Sequence, residues 1–251
     1  MDGYRINTYG DAAADQYDGW MRPGAYAAGD ADEAAQFLAG LAGTGTALEL
    51  GIGTGRVALP LAAHGVMVHG IEASTAMLEQ LRAKDGATAV VTTLGDMTDV
   101  DVPGRFALVY TVFNTLFMLR GVEEQERCLR NVRERLDERG ALVVEASVPR
   151  PWVYDNGQRL RVSEMRVGYL RLEAFLHDPV AQVVESQRVV ITEGDGVRMV
   201  PVRFRYLWPS ELDMMCRLAG LRRVARYGGW SEEPFTEHSE RHVSVYRPER
   251  G

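Results

Sequence analysis

The stretch ALELGIGTGRVALPLA, residues 47–62, decides how the chain is read. A short strand-type run, TALELG (46–51), meets glycines at every second position, Gly51, Gly53 and Gly55, and then an apolar pattern of helical period. A glycine turn between strand and helix lets the backbone approach a ligand closely and exposes the free N–H groups of the helix start. The run from Gly53 through Gly55 to Ala58 also satisfies the spacing used for a dinucleotide pyrophosphate, so the loop alone leaves its ligand open. Glu49 is the first discriminator. A carboxylate at the strand end suits a ligand with a cationic group and is badly placed beside a pyrophosphate.

Outward from this loop, strand and helix patterns alternate. Strands are expected at 66–72, 88–93, 106–113 and 141–148, and helices at 55–65, 74–84 and about 122–138. Ser74 is placed to cap the second helix, with Met77, Leu78 and Leu81 on one face. Such alternation implies right-handed βαβ units and an α/β fold with a doubly wound, mostly parallel sheet. After residue 150 the period changes. Runs at 169–176, 181–192 and 197–206 predict three antiparallel strands joined by tight turns, followed by a capped helix at 210–220. The runs 221–228 and 242–247 predict a late hairpin that closes the main sheet. Residues 10–42 are alanine-rich and suit helix, with a break at Arg22-Pro23-Gly24.

Composition narrows the partners. The chain has 251 residues, 46% hydrophobic and 25% charged, with a formal net charge of −7. Nucleic-acid binding calls for a basic stripe, whereas the arginines of 127–139 are interleaved with Glu and Asp at helical spacing. No apolar run approaches the roughly 18 residues that would cross a bilayer, and the opening residues do not form a signal sequence. Cys128 and Cys216 are far apart and lack metal-ligand spacing. The expectation is a cytoplasmic protein, monomer or homodimer, with a small-molecule partner and no nucleic acid, membrane or metal.

Two further carboxylates sharpen the ligand. Glu72 ends the second strand, where it can accept from both hydroxyls of a ribose. Asp96 follows the third strand in LGDMTD, where it can accept from an exocyclic adenine amine while Met97 packs on the ring. The ordered set ELGIGTG, GIEASTAML, GDMTD and FALVYTVFNTLF resembles the class I S-adenosylmethionine-dependent methyltransferases, from about residue 15 to the C-terminus. That resemblance implies a Rossmann-like, seven-stranded sheet with its last strand antiparallel. It implies an N-terminal helical lid (1–42), a cofactor-binding core (43–150), an antiparallel β cover over the substrate (151–208) and a C-terminal completion of the core sheet (209–251). The insertion is similar to that of sugar N-methyltransferases and glycine N-methyltransferase, although Met21 stands where some sugar enzymes carry a lid tyrosine.

By the same resemblance the cofactor is S-adenosylmethionine. Gly51 and Gly53 approach its methionine portion, with Glu49 supporting the loop near the ammonium. Glu72 holds the ribose, Ala73 and Met77 flank the adenine, and Asp96 and Met97 read its edge and face. Val112 and Phe113 line the passage to the acceptor. Tyr17, Arg22 and Tyr26 of the lid reach cofactor or substrate. Independently of the resemblance, the aromatic residues Trp20, Trp152, Tyr154, Phe204, Tyr206 and Trp230 are candidates for a chamber around a planar or hydrophobic acceptor. Arg203 and Arg205 alternate with Phe204 and Tyr206, so only one pair faces the chamber.

Methyl transfer from a sulfonium needs alignment and exclusion of water, and needs a base only when the acceptor is a hydroxyl. Candidates for that base are Glu145 in the fifth strand, and His238 and His242 in TEHSERHVSVY. The function expected is methyl transfer to O or N of a metabolite, in secondary metabolism. The rival readings are a methyltransferase fold used for cyclisation or ligand binding, and an NAD-dependent oxidoreductase.

Overall fold

The apolar runs of the first half pair with one another through one sheet. The computed structural model describes residues 1–21 and 30–249, so Arg22 and Tyr26 lie outside the described residues. Two helices, α1 (Thr8–Trp20) and α2 (Asp30–Ala42), precede β1 (Ala47–Leu50). There follow α3 (Ala58–Ala63), β2 (Val68–Glu72), α4 (Thr75–Arg82), β3 (Val90–Leu94), β4 (Phe106–Thr111), α5 (Val122–Arg135) and β5 (Leu136–Ser147). β1 is buried along its whole length, which is why it reads as a continuous run rather than an alternation. It pairs in parallel with β2 on one side and β4 on the other, so the chain switches direction across the sheet at β1. Ligands of doubly wound sheets bind outside the strand ends at that switch.

Side chains alternate between two core layers. Leu48, Val109 and Leu142 point into the layer that holds α5. Ala47, Leu108, Tyr110 and Val143 point into the layer of α2 and α3. Ser74 caps α4 as the sequence predicts, its Oγ accepting from Met77 N–H at 3.2 Å. Gly70 in β2 leaves room for Ile52, since a Cβ there would stand 2.3 Å from Ile52 Cδ1. Gly70→Ala is therefore expected to cost about 2 kcal/mol by overpacking. Urea unfolding would show it as a lower midpoint with an unchanged slope.

The second sheet holds four antiparallel strands rather than the expected three: β6 (Gln158–Arg166), β7 (Tyr169–Asp178), β8 (Val183–Thr192) and β9 (Gly196–Arg205). β6 escapes a sequence reading because its polarity is inverted. Arg159, Arg161 and Ser163 line an internal cavity, while Leu160 and Val162 are 69% and 56% exposed. After α6 (Pro209–Leu218), β10 (Leu221–Tyr227) and β11 (Arg241–Pro248) complete the main sheet in the order β10-β11-β5-β4-β1-β2-β3. β11 is antiparallel to both neighbours, the late hairpin anticipated from the sequence. No helix among the described residues is long and apolar enough to cross a membrane.

Candidate active site

The loops after β1, β2, β3, β4 and β5 meet α1 and the inner face of the four-stranded sheet around a cavity of about 650 Å³. Its floor is the glycine loop. Gly51 and Gly53 hold φ of +71° and +56°, a region that suits glycine. A Cβ on Gly51 would meet Thr115 Cγ2 at 2.4 Å, whereas one on Gly53 would meet nothing nearer than Gly51 O at 4.0 Å, and Gly53 lines the cavity.

Glu72 ties this loop to the start of α4. Its Oε2 accepts from Gly53 N–H and its Oε1 from Ser74 N–H, each at 2.9 Å. Burial raises the Glu72 pKa, and the N–H groups of Ser74, Gly53 and Ala73 oppose the rise. A carboxylate accepts about four hydrogen bonds, so these two leave positions for a ligand's hydroxyls. Ala73 and Met77 line the cavity beside Glu72. So do Asp96, whose Oδ1 accepts from Thr98 N–H at 2.8 Å, and Met97.

α1 closes the cavity and is fastened to both of its walls. Asp11 accepts from Ser74 Oγ at 2.6 Å, and Asp18 from Thr54 Oγ1 at 2.7 Å and from Lys84 Nζ at 2.6 Å. On the other side, Arg198 of β9 grips Asp15 with both Nη atoms, and the Arg188 guanidinium lies 4.3 Å over the Trp20 ring. Tyr17 and Trp20 line the cavity from this helix.

Several residues expected at the site stand elsewhere. Glu49 is 2% exposed and does not line the cavity; its Oε2 accepts from the Tyr110 phenol at 3.0 Å across the β1–β4 pair. Burial pushes its carboxyl up to about 8. Val112 faces the core layer of Tyr110 and Val143 instead of the passage, because the chain turns one residue later. Phe113 does line the cavity, and it and Asn114 have φ of 52° and 63°, strained for residues other than glycine. Glu145 accepts from Phe113 N–H, and Ser147 N–H donates to Asn114 Oδ1 at 2.6 Å. Glu145 thus holds a strained turn and is absent from the cavity wall.

Neither histidine reaches the cavity. His242 is buried in β11 between β5 and β10, its Nδ1 2.9 Å from Ser244 Oγ, and burial pushes its pKa down to about 3. His238 sits on the preceding loop with its side chain 88% exposed. Among the expected aromatics, Tyr154, Phe204 and Tyr206 line the cavity. Trp152 is 69% exposed, and Trp230 packs in the core 5.6 Å from Phe37. Of the alternating β9 pair, the arginines turn away: Arg205 pairs with Glu211 at 2.7 Å and Arg203 approaches Glu185 at 3.5 Å.

Two further features shape the wall, of which only the second was unexpected from the sequence. His177 stacks on Tyr154 at 4.5 Å and lies 3.1 Å from Tyr206 Oη, so it braces both rings. Arg159, Arg161, Arg171 and Arg188 also line the cavity, with Glu173 among them. The signal was present as arginine at alternate positions of one run, RLR at 159–161.

These groups fit S-adenosylmethionine. The open space above Gly53 admits a ligand against the backbone, Glu72 keeps free acceptor positions, and an acidic end formed by Glu72 and Asp96 suits a cationic ligand. Comparison with known proteins agrees. A methyltransferase-domain family model matches residues 47–140. The chain is 42% identical to the CcbJ methyltransferase of Streptomyces caelestis, with a TM-score of 0.93, covering 98% of this chain and 100% of that one. It is 26% identical over 204 residues to the cypemycin N-terminal methyltransferase of a Streptomyces species, covering 80% of this chain and 82% of the relative. The sugar N-methyltransferase KedS8 of Streptoalloteichus shares the fold at 21% identity and a TM-score of 0.69, covering 98% and 99% of the two chains. With near-complete coverage at 42% identity to the CcbJ methyltransferase, and with a cavity that fits the cofactor, the chain belongs to the class I S-adenosylmethionine-dependent methyltransferases.

Proposed function

We propose that the protein methylates the nitrogen of a small-molecule amine. The observation that carries this reading is that, among the described residues, every carboxylate on the cavity wall already has a partner. Glu173 lies between Arg161 and Arg188, Glu240 pairs with Arg150 at 2.5 Å, and Glu72 and Asp96 hold backbone N–H groups. The three residues expected as bases, Glu145, His238 and His242, lie off the cavity. A hydroxyl acceptor needs a base to receive its proton, whereas an amine needs only to arrive neutral. The cypemycin relative, an N-terminal methyltransferase, points the same way.

Bound S-adenosylmethionine supplies an electrophilic methyl group on a sulfonium leaving group. In this reading Gly51 and Gly53 give its methionine half a close backbone seat, and Glu72 accepts from the ribose hydroxyls. Asp96 and Met97 meet the adenine edge and face, with Ala73 and Met77 alongside. Phe113, Trp20, Tyr17 and Tyr154 bound the acceptor space and exclude water. The four-stranded sheet is the acceptor cover and α1 the lid. The surplus proton of the methylated amine leaves with the product to solvent.

Matched acceptors that differ only in an amine or a hydroxyl test this. Expected is one methyl gained on nitrogen with an equal amount of S-adenosylhomocysteine, and a rate that rises with pH as the acceptor's own ammonium titrates. Transfer to oxygen, or cofactor consumption with no methylated product, would overturn the proposal.

A further inference from the structure

The cavity is electrically polarised. Its cofactor end carries Glu72 and Asp96, whereas the inner face of the four-stranded sheet carries four arginines and one carboxylate, Glu173. In a chain of net charge −7 this concentration of cations is not the background composition.

Strand register explains how the pattern is built. Arg161, Glu173 and Arg188 stand opposite one another on β6, β7 and β8. Glu173 Oε2 lies 3.4 Å from Arg161 Nε, and Oε1 lies 3.1 Å from Arg188 Nη2, so one carboxylate serves two guanidinium groups. In the next row Arg159 faces Phe175, and behind Phe175 stands Ser186. Arg159 lines the cavity and is exposed to solvent, and among the described residues it forms no ion pair. On the other side, Arg171 Nη1 reaches Glu164 only at 3.6 Å, and Glu164 also takes Arg166 at 3.2 Å. Arg171 Nε and Arg188 Nη1 are buried without a hydrogen-bond partner. These two buried donors are unfavourable until an acceptor joins them, and an anion among the neighbouring guanidinium groups also answers their like charge.

We propose that this face binds a carboxylate carried by the acceptor, seated on Arg159 with Arg161 beside it. This rests on the amine reading above and adds the acceptor's second functional group. A guanidinium pairs with a planar carboxylate through two parallel N–H···O bonds. Phe175 and Tyr154 flank the position and supply an apolar wall for the body of such a molecule. Placed there, the carboxylate would leave the acceptor's other end directed toward the acidic half of the cavity.

The test separates this group from the amine. Protein saturated with S-adenosylhomocysteine is titrated calorimetrically with 3-phenylpropanoate and with its neutral amide, neither of which carries an amine. The carboxylate is expected to bind about tenfold tighter than the amide, and to weaken when salt is raised from about 0.05 to about 0.5 M. Arg159→Gln is expected to abolish most of that preference and Arg159→Lys to keep part of it, with circular dichroism unchanged in both. Equal affinities, no binding of 3-phenylpropanoate, or an undiminished preference in Arg159→Gln would overturn the inference. Failure to methylate any amine, with the preference intact, would instead remove only the amine reading.

Discussion

Glu72→Ala is expected to weaken S-adenosylhomocysteine binding by about 100-fold, close to 3 kcal/mol. Two hydrogen bonds from ribose hydroxyls to a charged acceptor are each worth about 1.5–3 kcal/mol. The same carboxylate also holds Gly53 N–H and Ser74 N–H, so its removal loosens the glycine loop and the start of α4 together. The two contributions can be separated with a ligand lacking the ribose hydroxyls. In the native protein, removing the hydroxyls costs most of the 100-fold. In Glu72→Gln, which keeps one acceptor oxygen and the overall shape, the hydroxyls are worth about tenfold or less. A double-mutant cycle of protein and ligand changes then gives a coupling energy of about 1 kcal/mol or more. Strictly additive losses would mean that Glu72 only braces the loop and does not touch the ribose.

The division between legible and illegible residues follows from what a single strand can say. The β1–glycine loop–α3 unit was readable because the strand, the turn and the helix each carry a local signal, and Ser74 was readable as a cap for the same reason. The fate of a side chain near a strand end depends on its neighbours. Val112 and Phe113 are adjacent, yet one enters the core and the other the cavity, because the left-handed turn held by Glu145 begins between them. His242 looked available next to a polar loop, but its ring lies on a covered face of the sheet, edge-on to Phe235 at 6.2 Å and 2.9 Å from Ser244 Oγ. β6 hid for the opposite reason. Its Arg159 and Arg161 line a cavity while Leu160 and Val162 face out, so a reading that equates apolar with inside inverts the strand. Functional walls break that equation, which is why the missed strand is also the one with the most specific chemistry.

Glu49 should make the ligand-free protein lose stability as pH rises toward 8. Burial holds its carboxyl at about 8 in the folded chain, against 4.5 for the ordinary group, and the Tyr110 hydrogen bond and Arg56 only reduce that shift. Between those values the folded state keeps a proton that the unfolded state has released. Unfolding then releases a proton, so stability falls with pH by up to about 1.4 kcal/mol per unit, about 5 kcal/mol across the window. His242 acts with the opposite sign lower down. Its pKa of about 3 in the fold, against 6.5, means that the unfolded chain binds the extra proton, so stability rises with pH between those values. The two slopes largely cancel from about pH 4.5 to 6.5, and the net decline is confined to about pH 6.5–8. Glu49→Gln isolates the carboxyl, because an amide keeps an oxygen for Tyr110 and cannot ionise. The variant is expected to match the native protein near pH 4.5 and to exceed it by about 5 kcal/mol above pH 8 in urea unfolding. A ligand with a cation seated by Gly51 favours the ionised carboxylate. Saturating S-adenosylmethionine should therefore stabilise the native protein more at pH 8 than at pH 5, and the variant by similar amounts at both. Parallel pH profiles for variant and native protein would place the titrating charge on another residue. A ligand effect that does not change with pH in either protein would show that Glu49 does not sense the cation across the loop.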